Sequence, residues 1–294
     1  MVKLHKYSGA GNDFVVLDGR FEDVSAYRTP ERIAALCKEY HTDGLMILTD
    51  DPDYDFRMEF FNPDGTGGMM CGNGGRCITA FADELGIRPR DGRVYHFVAG
   101  DGPHTAEILA RDGGCKTVRL RMIDVHEFYP VLDGWFVDTG TRHFVRFVPD
   151  VEAVDIEVEG RRARWDPVFA PIGANANFVS VAPDGVLHVR TFEKGVEGET
   201  LACGTGITAS AIAAYLAAPP AVASSRSARN YFSDKFAEKP ISAPASTTPA
   251  HATAGEAVQY NIRARIARLA VEFRPGDGCF TDVYLTGPAE EISA

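Results

Sequence analysis

Hydrophobic and polar residues alternate over residues 2–17, the two-residue period of a half-buried strand, with a break at Gly9-Ala10-Gly11-Asn12. The period changes over residues 29–40. There Ile33, Leu36 and Cys37 fall on one helical face, Pro30 suits a first turn and Thr29 a cap. Residues 45–48 and 56–61 return to strand patterns. A second helix is expected over 72–85, where Cys77, Ile78, Phe81 and Leu85 recur at helical spacing. From residue 93 to about 192 the chain breaks into short strands separated by Gly, Asp and Pro, among them 118–122, 135–137, 143–148, 177–181 and 187–192. A third helix, rich in Ala and Ile, is expected over 204–217, and strands resume at 261–273 and 280–285. Many strands with few helices indicate an α+β protein.

Residues 218–256 interrupt this pattern. They are crowded with Ala, Pro, Ser and Thr and hold few large apolar side chains, so burial there cannot offset the entropy of ordering. The segment reads as a mobile low-complexity insertion. The remainder of the 294 residues suffices for two domains, and 45% apolar with 24% charged residues is the balance of a globular protein. The net charge of −11 opposes binding to nucleic acid or an acidic membrane surface. The densest basic run is only Arg161-Arg162-Ala163-Arg164. No apolar stretch reaches bilayer length and residues 1–6 lack a signal-peptide layout, so a cytoplasmic location is expected. In that reducing compartment the six cysteines are core fillers, metal ligands or catalysts rather than disulfides.

Two segments separate these roles. Met70-Cys71-Gly72-Asn73-Gly74-Gly75-Arg76 leads into the second helix, and Ala202-Cys203-Gly204-Thr205-Gly206-Ile207 leads into the third. In each, Cys-Gly-polar-Gly stands just before a helix, a weak internal repeat that points to two similar lobes. A cysteine at a helix N-terminus meets unpaired backbone N–H groups and the positive end of the dipole, which favour thiolate. Glycines let the backbone approach a ligand, and the same N–H groups can hold a carboxylate. One such cysteine is most often a small buried hydrophobe. Two on matching helices point to a pair of acid–base groups facing one substrate. Zinc does not fit, because Cys71 and Cys77 are not spaced as a metal knuckle and no second pair follows. A dinucleotide fingerprint is absent, since Phe14 stands where the third glycine belongs after Gly9-Ala10-Gly11.

The chain resembles the diaminopimelate epimerases through four blocks. These are Gly9-Ala10-Gly11-Asn12-Asp13-Phe14; Phe61-Asn62-Pro63-Asp64-Gly65 with the first cysteine segment; Asn175-Ala176-Asn177-Phe178; and Glu193-Lys194-Gly195 with Glu199-Thr200-Leu201 and the second cysteine segment. The resemblance implies two pseudo-symmetric lobes, each a barrel-like sheet around a central helix. The N-terminal lobe would span 1–127, with the last strand, about 280–294, returning to it. The C-terminal lobe would span 128–279. The resemblance further implies a homodimer that interconverts LL- and meso-2,6-diaminopimelate without metal or other cofactor, in lysine and peptidoglycan-precursor biosynthesis. Carried over by position, Cys71 and Cys203 are the two acid–base thiols, and His143 and Glu193 assist them. Asn12, Asn62, Asn175 and Lys194 would bind substrate, and Gly72, Asn73, Gly204 and Thr205 would offer donors to the reacting carboxylate.

Two departures bear on substrate choice. Gly140-Thr141-Arg142-His143 stands where the family has Gly-Asn-Pro-His, and Glu193-Lys194 where it has Glu-Arg. Lysine keeps the charge but loses the bidentate fork, and Arg142 is the residue that could restore a guanidinium. A racemase or epimerase of another amino acid on the same fold is the runner-up. A redox-sensing, non-enzymatic relative is the alternative from a different class.

Overall fold

The computed structural model describes residues 2–68, 70–218 and 255–293; residues 219–254, nearly all of the low-complexity segment, lie outside the described residues. In chain order the elements are β1 (Leu4–Gly9), β2 (Asn12–Asp18), α1 (Pro30–Tyr40), β3 (Gly44–Thr49), β4 (Phe56–Phe61), α2 (Gly72–Glu84), β5 (Val94–Ala99), β6 (Gly102–Asp112) and β7 (Cys115–Arg121). They continue with β8 (Phe128–Val131), β9 (Gly134–Asp138), β10 (Arg142–Phe147), α3 (Arg161–Arg164), β11 (Asn175–Val181), β12 (Leu187–Glu193) and β13 (Gly198–Thr200). The last four are α4 (Gly204–Ala217), β14 (Val258–Arg263), β15 (Arg268–Pro275) and β16 (Phe280–Ile292). The chain divides into two compact units, Met1–Arg121 with Thr286–Ala294, and Met122–Leu285.

In the first unit the strands run β1-β2-β3-β4-β5-β6-β7-β16, and β16 pairs back to β1, closing an eight-stranded barrel. The β2–β3 and β4–β5 pairs are parallel, with α1 and α2 as their crossovers. Thr29 caps α1, with Pro30 at its first position, and the helix ends on His41 in the left-handed region (φ 51°). Helix α2 is buried from Gly72 through Ala82, the condition of a helix surrounded by a sheet rather than lying on one.

The second unit repeats this plan. Its order is β8-β9-β10-β11-β12-β14-β15-β16, and the parallel pairs are β10–β11 and β12–β14. A single antiparallel bridge between Val125 and Phe280, just ahead of β8, does the closing that β16 does in the first unit. Helix α4 comes after β12 and the short β13, as α2 comes after β4, and is buried from Gly204 to Leu216 apart from the half-exposed Thr205. Its alanines favour the helix, and the buried hydroxyls of Thr208 and Ser210 donate back to Gly204 O (3.0 Å) and Gly206 O (2.7 Å).

One stretch departs from the strand pattern expected over 93–192. Residues 151–169 form helical turns at Val151–Ala153, Ile156–Gly160, α3 and Pro167–Phe169. Three of the four open on an aspartate whose carboxylate accepts the N–H two or three residues ahead. Asp150 accepts from Glu152, Asp155 from Val158 and Asp166 from Val168. These caps outweigh the strand signal of the flanking valines.

Candidate active site

In the first unit Cys71 is the N-cap of α2, and its Sγ accepts the Gly74 N–H at 3.2 Å. The cap therefore spends one of the helix's unpaired donors on sulfur. The turn Ala10-Gly11, with φ of 59° and 93°, brings Asn12 to the start of β2. Asn12 Oδ1 accepts from Asn73 Nδ2, and Asn12 Nδ2 donates to Asp43 Oδ2 at 3.2 Å. Only glycine fits at position 9, because a Cβ there would stand 2.8 Å from both Asn73 O and Cys77 Sγ. Beneath this corner Arg76 is fully buried. Its guanidinium donates to Gly72 O (3.0 Å), Asn73 Oδ1 (2.8 Å) and Pro288 O (3.4 Å). Asn62 lies in the loop after β4, its amide donating to Thr66 Oγ1 at 3.1 Å.

In the second unit Cys203 holds the N-cap position of α4, without the side-chain capping bond that Cys71 makes, and is 7% exposed. Its Sγ is 3.4 Å from Thr205 Oγ1. Thr141 Oγ1 donates to Thr205 Oγ1 at 3.0 Å and lies 2.8 Å from His143 Nε2. His143 Nδ1 is 3.1 Å from Asn177 Nδ2. Asn177, opposite Thr191 across the β11–β12 pair, also donates to Phe144 O (3.0 Å) and accepts the Thr191 hydroxyl (2.9 Å). His143 is fully buried, and desolvation pulls its imidazole from 6.5 down to about 3. The ring is neutral near pH 7. Asn175, the parallel cross-strand partner of His143, donates to Arg142 O (3.0 Å) and accepts the Lys194 N–H (2.7 Å). Glu193 ends β12 and accepts the Thr200 hydroxyl at 2.9 Å.

The structure thus gathers Asn12, Gly72 and Asn73 around Cys71, and His143 and Thr205 around Cys203. Gly204 opens α4, and Asn175, Glu193 and Lys194 lie at the ends of the strands around that helix. Arg142 does not serve as a free guanidinium. Its Nη1 donates to Phe169 O (3.1 Å) and Gly173 O (3.4 Å), and the group lies 5.2 Å over the Phe136 ring. Lys194 is exposed, and its Nζ makes no ion pair among the described residues. Sequence reasoning missed Thr141, Asn177 and Thr191 as parts of one network. Asparagines at 175 and 177 of a largely apolar strand were the available signal, since period two puts both on one face.

The family model described as diaminopimelate epimerase matches residues 4–111 and 135–223. A diaminopimelate epimerase of Flavobacterium psychrophilum is 34% identical over 294 residues, covering 99% of this chain and 98% of its own. One from Chlorobaculum tepidum is 41% identical over 216 residues, covering 71% of this chain and 81% of its own. Among solved structures, a Bacillus anthracis protein of the phenazine-biosynthesis PhzF family superposes with a TM-score of 0.65 at 13% identity, covering 99% of this chain and 96% of its own, a likeness of fold. Family match, near full-length relatives and the repeated cysteine-capped helix agree: this chain belongs to the diaminopimelate epimerase family and is, with it, an isomerase.

Proposed function

We propose that the chain interconverts LL- and meso-2,6-diaminopimelate by two-base proton transfer, with Cys71 and Cys203 as the proton carriers. The observation that carries this reading is a repeated placement, a cysteine at the N-cap position of the central helix of each unit. One thiolate removes the α-proton from one face of the carbon, and the other thiol delivers a proton to the opposite face. Negative charge spreads onto the carboxylate as the C–H bond breaks. The first-turn N–H groups at Gly72, Asn73, Gly204 and Thr205 stabilise it. Asn12, Asn62 and Asn175 hold polar groups of the substrate. Lys194 offers the distal carboxylate a cation, Arg142 being engaged elsewhere. Glu193 assists from the end of β12. The reaction places the enzyme in lysine and peptidoglycan-precursor synthesis, as a cytoplasmic homodimer acting on a small amino acid. A distal site with lysine instead of arginine also fits an epimerase of another amino acid.

The test is α-deuterium incorporation with chiral analysis of the product. Cys71→Ala and Cys203→Ala each remove one carrier, so each is expected to lower inversion by roughly 10²–10⁴-fold. Slow exchange with retention can survive from one stereoisomer. Full inversion by either variant would sink the two-thiol mechanism. Racemisation of a monocarboxylic amino acid by protein inert toward diaminopimelate would move the assignment to the second substrate class.

A further inference from the structure

His143 carries no proton to spare at neutral pH, yet its ring is held at both nitrogens. The polarity of that arrangement follows from its innermost member. Asn177 Nδ2 lies 3.0 Å from the Phe144 carbonyl oxygen, which can only accept, so this atom is the amide's nitrogen. Asn177 Oδ1, on the other side, accepts the Thr191 hydroxyl. The second hydrogen of Nδ2 then points to His143 Nδ1, which must be the bare nitrogen, and the ring proton resides on Nε2. Nε2–H donates to Thr141 Oγ1 at 2.8 Å. Thr141, its lone pair so engaged, donates onward to Thr205 Oγ1 at 3.0 Å, and the Thr205 hydroxyl is left to donate to Cys203 Sγ at 3.4 Å. A separate hydroxyl, Thr139 Oγ1, donates to Thr205 O at 3.0 Å and fixes the residue at the first turn of α4.

We propose that Asn177, His143, Thr141 and Thr205 form a one-way donor chain that ends on Cys203 and stabilises its thiolate. His143 is then a positioning residue of fixed tautomer, acting on sulfur through two hydroxyls, rather than a titrating base. The inference rests on the reading of Cys203 as a proton carrier, and deepens it. Each hydroxyl in a chain is polarised by the donor behind it, so the terminal bond strengthens when the chain is complete. The charged groups at this end of the strands are Asp138, Arg142, Glu193 and Lys194. Asp138 accepts the Gly140 N–H, Arg142 is spent on two carbonyls, and Glu193 accepts from Thr200. Lys194 is exposed, where solvent screens it. Strands β14 and β15 meet α4 farther off, since β14 pairs with β12 only at Leu187 and His188, the end opposite Glu193.

Thiol titration tests this without any substrate. Iodoacetamide alkylation of Cys203 is followed against pH by peptide mass spectrometry in the full-length protein, with Cys71 as the internal reference. Thr205→Val is expected to raise the midpoint of Cys203 by about one pH unit, roughly a tenfold loss of rate below the midpoint. Thr141→Val, at an exposed position that tolerates it, is expected to give about half that shift. The double variant should move no further than Thr205→Val alone, because the first break already disconnects the chain. Thr141→Ser and Thr205→Ser keep the hydroxyls and should restore the wild-type profile, and Cys71 should not move in any of them. In wild-type protein with ¹⁵N-labelled imidazoles, His143 should show its proton on Nε2 at every pH from about 5 to 8. A Thr141→Val profile coincident with wild type, additive shifts in the double variant, or an imidazolium or Nδ1–H signal from His143 would each overturn the chain. Correct titration in a protein that inverts no amino acid would leave the chain standing and remove the catalytic reading instead.

Discussion

Gly206, three residues after Cys203, stands where a methyl group does not fit. A Cβ there would lie 2.3 Å from Asn177 Oδ1 and 3.3 Å from His143 Cε1. Asn177 cannot retreat, because it is fully buried and its amide is bonded to Phe144 O, His143 and Thr191. Overpacking of this kind costs about 1–3 kcal/mol, and a bond lost from a buried amide about 1–3 kcal/mol more. Alanine recovers up to about 1 kcal/mol in helix propensity. The balance for Gly206→Ala is a loss of about 1–5 kcal/mol, or roughly 2–20 °C in melting temperature for a unit of this size. The matching glycine of the first unit makes the comparison. At Gly74 a Cβ would meet Cys71 Sγ at 3.2 Å and the flexible tips of Met46 and Met58 at 3.3 Å. Those thioethers can give way, so Gly74→Ala is expected within about 1 kcal/mol of wild type. Gly114→Ala, with nothing within 4 Å, sets the baseline. Differential scanning calorimetry on the three variants decides the matter. A Gly206→Ala protein that melts with the Gly114→Ala protein would mean that the Asn177 corner is not rigid, and the argument from its hydrogen bonds would fall with it.

Two further outcomes are expected. The His143 imidazole is held down at about 3 in the folded protein, whereas the unfolded chain takes up its proton below about pH 6.5. Its contribution to stability is intact above pH 6.5 and lost as pH falls toward 3, so moving from about pH 6.5 to 5 should cost about 2 kcal/mol. Urea melts at the two pH values should show this cost shrink in His143→Gln, and an unchanged pH dependence would contradict the assignment. Lys194→Met removes the exposed cation at the end of β12 and should raise KM for diaminopimelate about tenfold or more with little change in kcat, while Lys194→Arg keeps the substrate. A KM unaffected by Lys194→Met would place the distal carboxylate elsewhere.

Much of this architecture was legible because it rests on local rules. The α1 boundary followed from Thr29, Pro30 and the spacing of Ile33, Leu36 and Cys37, and the structure starts the helix at Pro30 with Thr29 as its cap. The two cysteine-capped helices were legible because Cys-Gly-polar-Gly is a local pattern, repeated. The turns over 151–169 were not, because the valines and Ile156 there read as strand, while the three aspartate caps act through single hydrogen bonds that periodicity does not register. The partners of His143 were hidden for another reason. Thr141, Asn177 and Thr191 come from three segments joined only by strand register, and one residue of slippage would turn Asn177 away from the ring. The fate of Arg142 was set the same way. Its charge was visible in the sequence, but the carbonyls of Phe169 and Gly173 that occupy it belong to a loop some thirty residues on.

The repeated plan also exposes where the two units differ. Five residues after Cys71 stands Arg76; five residues after Cys203 stands Thr208. Arg76 is fully buried, and its hydrogen bonds to Gly72 O, Asn73 Oδ1 and Pro288 O end on neutral oxygens, with no carboxylate among its partners in the described residues. Thr208 only donates back to Gly204 O. A buried cation is costly unless a negative group answers it. The titratable groups that act on Arg76 are Cys77 and Cys71. Cys77 cannot answer, because complete burial pushes its thiol far up. Cys71, half-buried at a helix N-terminus, can. The first thiol therefore has a formal positive charge acting on it, and the second has the Thr205 hydroxyl at 3.4 Å. A two-base inversion needs one carrier bare while the other is protonated, and two identical environments would leave the resting enzyme divided between both arrangements. An unequal pair is expected to favour thiolate at Cys71 in the resting state. The alkylation profiles of the two thiols measure this difference directly, with Cys71 expected to titrate at least about one pH unit below Cys203. Arg76→Lys, which keeps the charge, should preserve the gap better than Arg76→Met. Coincident midpoints in wild-type protein would mean that the buried guanidinium does not set the order in which the two thiols ionise.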